Sequence, residues 1–257
     1  MFAEEEAELL ASAAADPATL ASMVERRVAG EPLEAIVGWA LFCGLRIVVA
    51  PGVFVPRRRT ELLVREAISI VQWEMARISP DRRPVATELS IVELCCGTAA
   101  VAAAILDGMG TSTGELDVHV ADIDPRATAC ARENLGGHGQ VHTGDLYDAL
   151  PAGLRGRIDI LVANAPYVPT AEIAMMPPEA RDHEPHVALD GGTDGLDVQR
   201  RIIEGAHEWL APGGHLLVET SRRQAAGTVT ACEATGLVTR VVTDDDLDAT
   251  AVVGRRP

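Results

Sequence analysis

From Leu89 onward the chain alternates short apolar runs with stretches of helical periodicity, and this alternation constrains the fold most strongly. A strand–helix–strand succession is typical of a parallel sheet with helices on both faces. Near the end of the chain, residues 238–242 and 250–253 predict a closing β-hairpin. The sequence therefore predicts an α/β, Rossmann-like fold. The strands expected before the hairpin are residues 91–95, 118–121, 141–143, 158–163 and 215–220.

The N-terminal part has a different pattern. Residues 1–30 are rich in Ala, Glu and Leu, and a break at Asp16-Pro17 predicts two short helices. Residues 39–49 predict a β-hairpin that turns at Cys43-Gly44. We therefore expect the helices and this hairpin to form a small appendage to one large α/β domain.

A long helix is expected to begin at Glu61 and to end near Arg77, with Thr60 as its N-cap. It leads into a predicted surface loop over residues 79–87. These boundaries divide the chain into three predicted parts. They are a short helical region over residues 1–32, a linking β-hairpin over residues 33–56 and the α/β domain over residues 57–257.

The chain is acidic, with a net charge of −16, and all 22 of its basic residues are Arg. Nucleic-acid binding depends on cationic patches, so this charge argues against direct nucleic-acid binding. The dense basic cluster Arg57-Arg58-Arg59 is expected to lie in a solvated loop. No apolar run approaches the roughly 18 residues of a membrane span. The acidic residues 1–6 are also unlike the start of an export signal.

The Cys residues show neither zinc-binding nor redox spacing, and we predict no metal site. The adjacent pair Cys95-Cys96 is too tight for an ordinary disulfide within a strand. Free thiols in a reducing cytoplasm are the simplest account. The Cys residues are Cys43, Cys95, Cys96, Cys130 and Cys232.

Acidic side chains lie at the ends of the first three predicted strands, where parallel sheets bind ligands. A tight turn at Gly97 followed by Asp122 is the layout of a nucleotide site, in which the acid binds ribose hydroxyls. Asp145 is placed to accept from an adenine amino group. A full Gly-x-Gly-x-x-Gly is absent, which favours a cofactor without pyrophosphate, such as S-adenosylmethionine. For each acid alone, the alternative is a helix cap or a loop residue.

Asn164-Ala165-Pro166-Tyr167 follows the fourth predicted strand. The Asn164 side-chain oxygen and the Ala165 carbonyl are two hydrogen-bond acceptors, and Pro166 keeps Ala165 out of the helical region. Tyr167 adds a flat aromatic face. Two acceptors and an aromatic wall suit a planar NH2 group whose lone pair points towards an electrophile. The alternative is a polar turn in which Pro only interrupts the regular secondary structure.

Further stretches point to a family when they are taken with this motif. They are Gly-Glu-Pro-Leu at 30–33, Ile-Val-Gly at 36–38, Phe-Cys-Gly-Leu at 42–45, Pro-Gly-Val-Phe-Val-Pro-Arg at 51–57, Thr-Glu-Leu-Leu-Val at 60–64 and Glu-Pro-His-Val-Ala-Leu-Asp-Gly-Gly-Thr-Asp-Gly-Leu at 184–196. Together they resemble the HemK/PrmC-type protein-(glutamine N5) methyltransferases over roughly nine tenths of the chain.

The resemblance implies a seven-stranded, S-adenosylmethionine-dependent methyltransferase fold, with residues 57–257 as the catalytic domain. It also implies a protein substrate with an exposed glutamine, whose amide nitrogen would be methylated by direct transfer. Asn164, Ala165, Pro166 and Tyr167 would hold that amide. The implied cofactor residues are Phe54, Pro56, Glu93, Cys95, Cys96, Gly97, Asp122, Ile123, Asp145, Leu146 and Asn164.

The sequence departs from the family pattern in several places. Ala165 replaces the first Pro of Asn-Pro-Pro-Tyr, Ala99 replaces a Gly, and Arg58-Arg59 replace a Pro and an acid. The N-terminal helical region is also short, which indicates a divergent paralogue. The expected protein substrate is therefore a release factor Gly-Gly-Gln loop, a ribosomal protein or another polypeptide.

Two other functions fit parts of the pattern. The residues from Asn164 to Tyr167 would also hold the exocyclic amine of a flipped nucleobase, as in a nucleic-acid methyltransferase. The altered Ala99 and Ala165 would also fit a protein that binds the cofactor without catalysing transfer.

Overall fold

The computed structural model describes residues 3–77, 88–110 and 116–257. The loop predicted over residues 79–87 lies outside these ranges. The helices are α1 (Ala3–Ala13), α2 (Pro17–Val28), α3 (Leu33–Val37), α4 (Glu61–Arg77), α5 (Ala100–Met109), α6 (Pro125–Leu135), α7 (Pro178–His183), α8 (Asp197–Trp209) and α9 (Ala225–Ala234). The strands are β1 (Trp39–Phe42), β2 (Leu45–Val48), β3 (Leu89–Leu94), β4 (Leu116–Asp122), β5 (Gln140–Thr143), β6 (Ile158–Ala163), β7 (Leu210–Thr220), β8 (Val238–Asp244) and β9 (Ala249–Arg255).

Within the described ranges, seven strands form one sheet in the order β5-β4-β3-β6-β7-β9-β8. The strands from β5 to β7 are parallel, and β9 pairs antiparallel with both β7 and β8. This confirms the predicted Rossmann-like α/β fold and its closing hairpin. The chain order reverses between β3 and β6, so the crevice beyond their carboxyl ends is where a ligand is expected.

Helices cover both faces of this sheet, which explains why its strands are almost continuously apolar. Successive residues of one strand belong to opposite cores, because side chains alternate across a strand. Ile91 and Ile160 face the core beneath α4 and α5, whereas Val92 and Leu161 face the core beneath α8. The central strands are therefore packed on both faces. The loops at their carboxyl ends begin from these buried positions.

The N-terminal helices pack on a small core of their own, formed by Leu10, Met23, Leu33 and Ile36. The hairpin β1–β2 is joined to the large domain through Asn134 on α6. The Asn134 side chain accepts from Val48 N at 2.7 Å and donates to Val48 O at 3.1 Å. None of the helices in the described part has the length and apolar character needed to cross a bilayer.

Several details differ from the sequence predictions. Strand β7 begins at Leu210 rather than at His215, because Leu210 still pairs with Ile158 before residues 211–214 bulge out of register. Thr60 ends a 3-10 turn, and its hydroxyl contacts a distant side chain instead of capping α4. Short helices, which the sequence did not predict, occupy 170–188.

Candidate functional site

A cavity of about 610 Å³ lies beyond the carboxyl ends of β3, β4 and β6. It brings together most of the residues that the sequence predicted for the cofactor with all four residues of the motif after β6. Glu93, Cys96 and Pro56 do not line it. The predicted residues that line it are Phe54, Cys95, Gly97, Asp122, Ile123, Asp145, Leu146, Asn164, Ala165, Pro166 and Tyr167.

Asp122 connects the end of β4 to the turn after β3. Its carboxylate accepts from Gly97 N at 2.8 Å through Oδ2 and from Asp124 N at 2.9 Å through Oδ1. Burial raises the pKa of Asp122, and these two backbone donors lower it. Each oxygen keeps a second lone pair, so the carboxylate fixes the turn and remains able to accept from a ligand hydroxyl.

Apolar side chains form the neighbouring wall of the cavity. Ile123 is 53% exposed although it is large and apolar, and Leu146 adopts a positive φ of 47° at the rim beyond β5. Phe54 lies on the hairpin side with the Arg57 guanidinium 5.1 Å from its ring centre. An exposed apolar residue inside a cleft marks a surface that a flat ligand would cover.

Asp145 forms an ion pair that the sequence did not predict. Its Oδ2 accepts from Arg201 Nη2 at 2.7 Å, and Arg201 lies on α8 and also lines the cavity. Because the pair is solvent-exposed, it is worth little in stability. Its effect is to orient the carboxylate, which leaves Oδ1 available towards the cavity.

Glu93 is buried near the end of β3 and binds the helix that follows the Gly97 turn. Its Oε2 accepts from Ala102 N at 2.8 Å, so the side chain binds a backbone group in the first turn of α5. Burial raises the pKa of Glu93 to about 8, although the Ala102 hydrogen bond opposes this shift. Glu93 does not line the cavity, and its assignment to the cofactor site stays a prediction.

The turn after β3 takes left-handed backbone at alternate residues. Cys95, Gly97 and Ala99 have φ values of 54°, 53° and 57°. Glycine adopts this conformation without steric cost, whereas a residue with a Cβ is strained by roughly 1–2 kcal/mol. Two of the three positions carry a Cβ here, so the turn holds strain beside the cavity.

Asn164 is the first residue after β6. The orientation of its side-chain amide is set by a residue that lies far away in the sequence. The Nδ2 atom donates to Thr60 Oγ1 at 3.1 Å. With the NH2 end held in this way, Oδ1 is the end turned away from Thr60. Neither Asn164 Oδ1 nor the Ala165 carbonyl oxygen accepts a hydrogen bond from any residue that the structure describes.

Tyr167 closes the motif. Its hydroxyl donates to Oε1 of the buried Glu219 at 3.3 Å. Burial and the nearby Glu219 charge raise the pKa of Tyr167 well above its usual range, so the phenol stays neutral. The hydroxyl is therefore held by Glu219, and Tyr167 is one of the residues that line the cavity.

The segment from Glu184 to Leu196 packs under the motif because two glycines permit close backbone approach. A Cβ on Gly191 would lie 2.7 Å from Pro166 O, and one on Gly195 would lie 2.3 Å from Tyr167 O. Gln224 fastens the same region by donating to Tyr167 O at 2.9 Å and Asp194 O at 3.0 Å. Glycine is needed at these two positions because any side chain would collide with the backbone of the motif, which the sequence alone did not show.

Two cations of the cluster Arg57-Arg58-Arg59 line the cavity. Arg57 is paired with Oε1 of the buried Glu184 at 2.5 Å, and Arg59 is exposed. The cluster was predicted to be a solvated loop. Arg57 and Arg59 instead line the cavity, while Arg58 does not.

Comparison with solved structures gives the fold. The chain is similar to a methyltransferase from Pyrococcus furiosus, with a TM-score of 0.55, 15% identity and coverage of 92% of this chain and 98% of that one. It is also similar to a ribosomal protein L11 methylase from Lactobacillus delbrueckii subsp. bulgaricus, with a TM-score of 0.53, 14% identity and coverage of 82% and 86%. At these identities the likeness shows the fold alone. No protein-family model matches the chain.

Sequence relatives define the class more closely. A release factor glutamine methyltransferase from Geobacter sulfurreducens is 36% identical over 91% of this chain and 76% of its own length. A second one, from Streptomyces coelicolor, is 39% identical over 79% and 67%. The 4-amino-L-phenylalanine/4-methylamino-L-phenylalanine methyltransferase of Streptomyces pristinaespiralis is 36% identical over 83% and 69%.

The fold and these relatives together make the protein an S-adenosylmethionine-dependent methyltransferase. More narrowly, the chain belongs to the release factor glutamine methyltransferase family, which confirms the resemblance found in its motifs.

Proposed function

We propose that the protein methylates the side-chain amide nitrogen of a glutamine in a polypeptide. The observation that carries the proposal is the orientation of Asn164, whose NH2 end is bound by Thr60. The outward Oδ1 and the Ala165 carbonyl then accept the two hydrogens of the incoming amide. Ordered acceptors of this kind fix a nucleophile in a reactive position, which is a large source of rate enhancement.

The residues at the other end of the cavity fit S-adenosylmethionine. Asp122 would accept from the ribose hydroxyls, Asp145 from the adenine amino group, and Ile123 and Leu146 would cover the base. All four of these residues line the cavity. When bound there, the cofactor supplies an electrophilic methyl group, and its C–S bond breaks as the nitrogen lone pair forms the new C–N bond.

The contribution of the protein to catalysis is to position the acceptor amide. Within the described residues, the motif contains no group with the pKa of a general base at neutral pH. Tyr167 stays neutral because burial raises its pKa. The proton that leaves the methylated nitrogen therefore passes to solvent. Pro166 and the Tyr167 ring restrict the motion of the amide before transfer.

A peptide assay tests the proposal. The purified protein is incubated with methyl-labelled S-adenosylmethionine and a peptide that contains Gly-Gly-Gln, with a Gly-Gly-Glu peptide as the matched control. We expect label on the glutamine peptide alone, and mass spectrometry should place one methyl group on the side-chain nitrogen. Equal labelling of both peptides, or label on a backbone or basic residue, would contradict the assignment.

A second acceptor class is favoured by one observation, the relative that acts on 4-amino-L-phenylalanine. An aromatic amine is also a planar NH2 group, and the same two acceptors would hold it. The same assay with 4-amino-L-phenylalanine in place of the peptide separates the two classes. Methylation of the free amine at a higher kcat/KM than the peptide would replace the polypeptide by a small aromatic amine as the acceptor.

A further inference from the structure

Glu219 is a buried carboxyl with no assigned role beside the motif. It lies near the end of β7, which pairs with β6 through Ala163 and Val218, so Glu219 is adjacent to the start of the motif. Its residue is only 3% exposed, and it does not line the cavity. A carboxyl buried so deeply is costly unless hydrogen-bond donors surround it.

One hydroxyl is hydrogen-bonded to this carboxyl, and a second hydroxyl and a cation lower its pKa. Tyr167 donates to Oε1 at 3.3 Å. Burial raises the pKa of Glu219, and the Thr60 hydroxyl, the Arg59 charge and Tyr167 lower it. Oε2 is buried and accepts no hydrogen bond from any residue described, so it can accept one from the Thr60 hydroxyl.

The direction of these hydrogen bonds determines how Asn164 is presented. An ionised carboxylate only accepts, and a hydroxyl has a single proton to donate. When the Thr60 hydroxyl donates its hydrogen bond to Glu219, the Thr60 oxygen can act only as an acceptor towards Asn164. Thr60 then binds the NH2 end of Asn164, as the 3.1 Å contact shows. If Thr60 donated to Asn164 instead, the amide would turn and present NH2 to the cavity.

We propose that Glu219 is a positioning residue that, through Thr60, holds the Asn164 side-chain oxygen towards the acceptor amine, and that through Tyr167 it fixes the aromatic wall. The inference rests on the proposed function, because an oxygen in that position matters only if an N–H group approaches it. Glu219 acts through its neighbours and touches neither the acceptor nor the cofactor.

Kinetics with matched variants test the role. Glu219→Gln replaces one of the two acceptor oxygens by an NH2 donor, so Thr60 and Tyr167 can no longer both donate to this side chain, and Thr60→Val removes the hydroxyl at nearly constant volume. We expect each to lower kcat on the Gly-Gly-Gln peptide by roughly 10- to 100-fold, the value of a hydrogen bond to a charged group. The dissociation constant for S-adenosylmethionine should not change. Thr60→Ser keeps the hydroxyl and should restore most of the activity.

The double variant Glu219→Gln/Thr60→Val sharpens the result. If both residues act on Asn164 in one chain of contacts, the double variant should lose no more than the worse single variant. Fully additive losses, or equal losses of kcat and cofactor affinity in each variant, would overturn the inference.

A second measurement does not depend on the acceptor. The chain has two Asn residues, Asn134 and Asn164. Selective labelling therefore gives two side-chain amide signals in NMR, which Asn164→Asp assigns. The Asn164 NH2 should exchange slowly with solvent in the unmodified protein and in Thr60→Ser, and rapidly in Glu219→Gln and Thr60→Val. Asn134, bonded to Val48 and Thr98, is the internal control.

The two measurements separate the inference from the proposed function. Unchanged exchange at Asn164 in Glu219→Gln would overturn the positioning role even if the peptide is methylated. The expected change in exchange, together with no methylation of the peptide by the unmodified protein, would support the role of Glu219 and overturn the acceptor assignment alone.

Discussion

The two ends of the cavity are held in place by different means. At the proposed cofactor end, Asp122 binds the backbone of residues that are close to it in the fold and simple to identify in the sequence, Gly97 and Asp124. At the proposed acceptor end, Asn164 and Tyr167 depend on side chains from remote elements, Thr60 and Glu219. The first arrangement follows from the strand–turn–helix unit itself, whereas the second exists only after the whole domain has folded.

This difference has a functional consequence. Substitutions at the cofactor end should change binding of the cofactor, and substitutions at the acceptor end should change turnover at saturating cofactor. Because the two sets share the cavity but no hydrogen bond between described side chains, their effects should add. The following predictions are ordered from the largest expected effect to the smallest.

Asn164→Ala should have the largest effect. It removes the outward oxygen and the group that Thr60 holds, so kcat should fall by at least about 100-fold, as it does when one preorganised polar contact is lost from an active site. Calorimetry should give the same S-adenosylmethionine dissociation constant as the unmodified protein. A parallel loss of cofactor affinity would show that the two ends are not independent.

Asp122→Ala is the matching change at the cofactor end. It removes the carboxylate that accepts from Gly97 N and that we propose as the acceptor of the ribose hydroxyls. We expect the cofactor dissociation constant to rise roughly 10- to 100-fold, in line with hydrogen bonds to a charged group. At saturating cofactor, kcat should stay close to that of the unmodified protein. An unchanged dissociation constant would remove Asp122 from the site.

The same contrast explains what the sequence could and could not predict. Asp122 was predicted because a short apolar run ends there and the turn at Gly97 precedes it, which are local features. Thr60 was misassigned as a helix cap, since its contact with Asn164 joins residues 104 positions apart. Glu219 was not singled out, because its partner Tyr167 lies 52 positions away. No local pattern encodes such pairs.

Segments without periodicity were also missed. Residues 170–188 are rich in Pro and Ala and form short helices of six residues or fewer. Helices of this length are stabilised by tertiary packing rather than by their own propensity. The start of β7 at Leu210 was missed for a related reason, since Pro212-Gly213-Gly214 is a break in the pattern that the sheet tolerates as a bulge.

Glu93 gives a prediction about pH at the cofactor end. Its folded pKa is about 8, above the unfolded value of 4.5, because burial disfavours the charged form. Between these two values the folded protein binds more protons than the unfolded chain, so stability falls as pH rises from about 4.5 to 8. Urea denaturation across this range should show the decline. In Glu93→Gln, which keeps an acceptor for Ala102 N, that contribution should be absent.

Ala99→Gly should have the smallest effect and tests the strain in the turn. Ala99 is fully buried with φ at 57°, a conformation that costs an alanine roughly 1–2 kcal/mol. Glycine relieves this cost, but it loses a buried methyl group worth about 0.8 kcal/mol and gains unfolded-state entropy.

The net stability change for Ala99→Gly should therefore lie within about 1 kcal/mol of zero. Ala104→Gly, in the interior of α5, is the matched control, because it makes the same chemical change at a buried helical residue. It has no strain to relieve and should destabilise by at least about 1 kcal/mol. Urea denaturation of both variants gives the difference between them, which measures the strain at Ala99. If the two variants are equally destabilised, the left-handed alanine carries no strain, and the turn beside Asp122 is as relaxed as the helix that follows it.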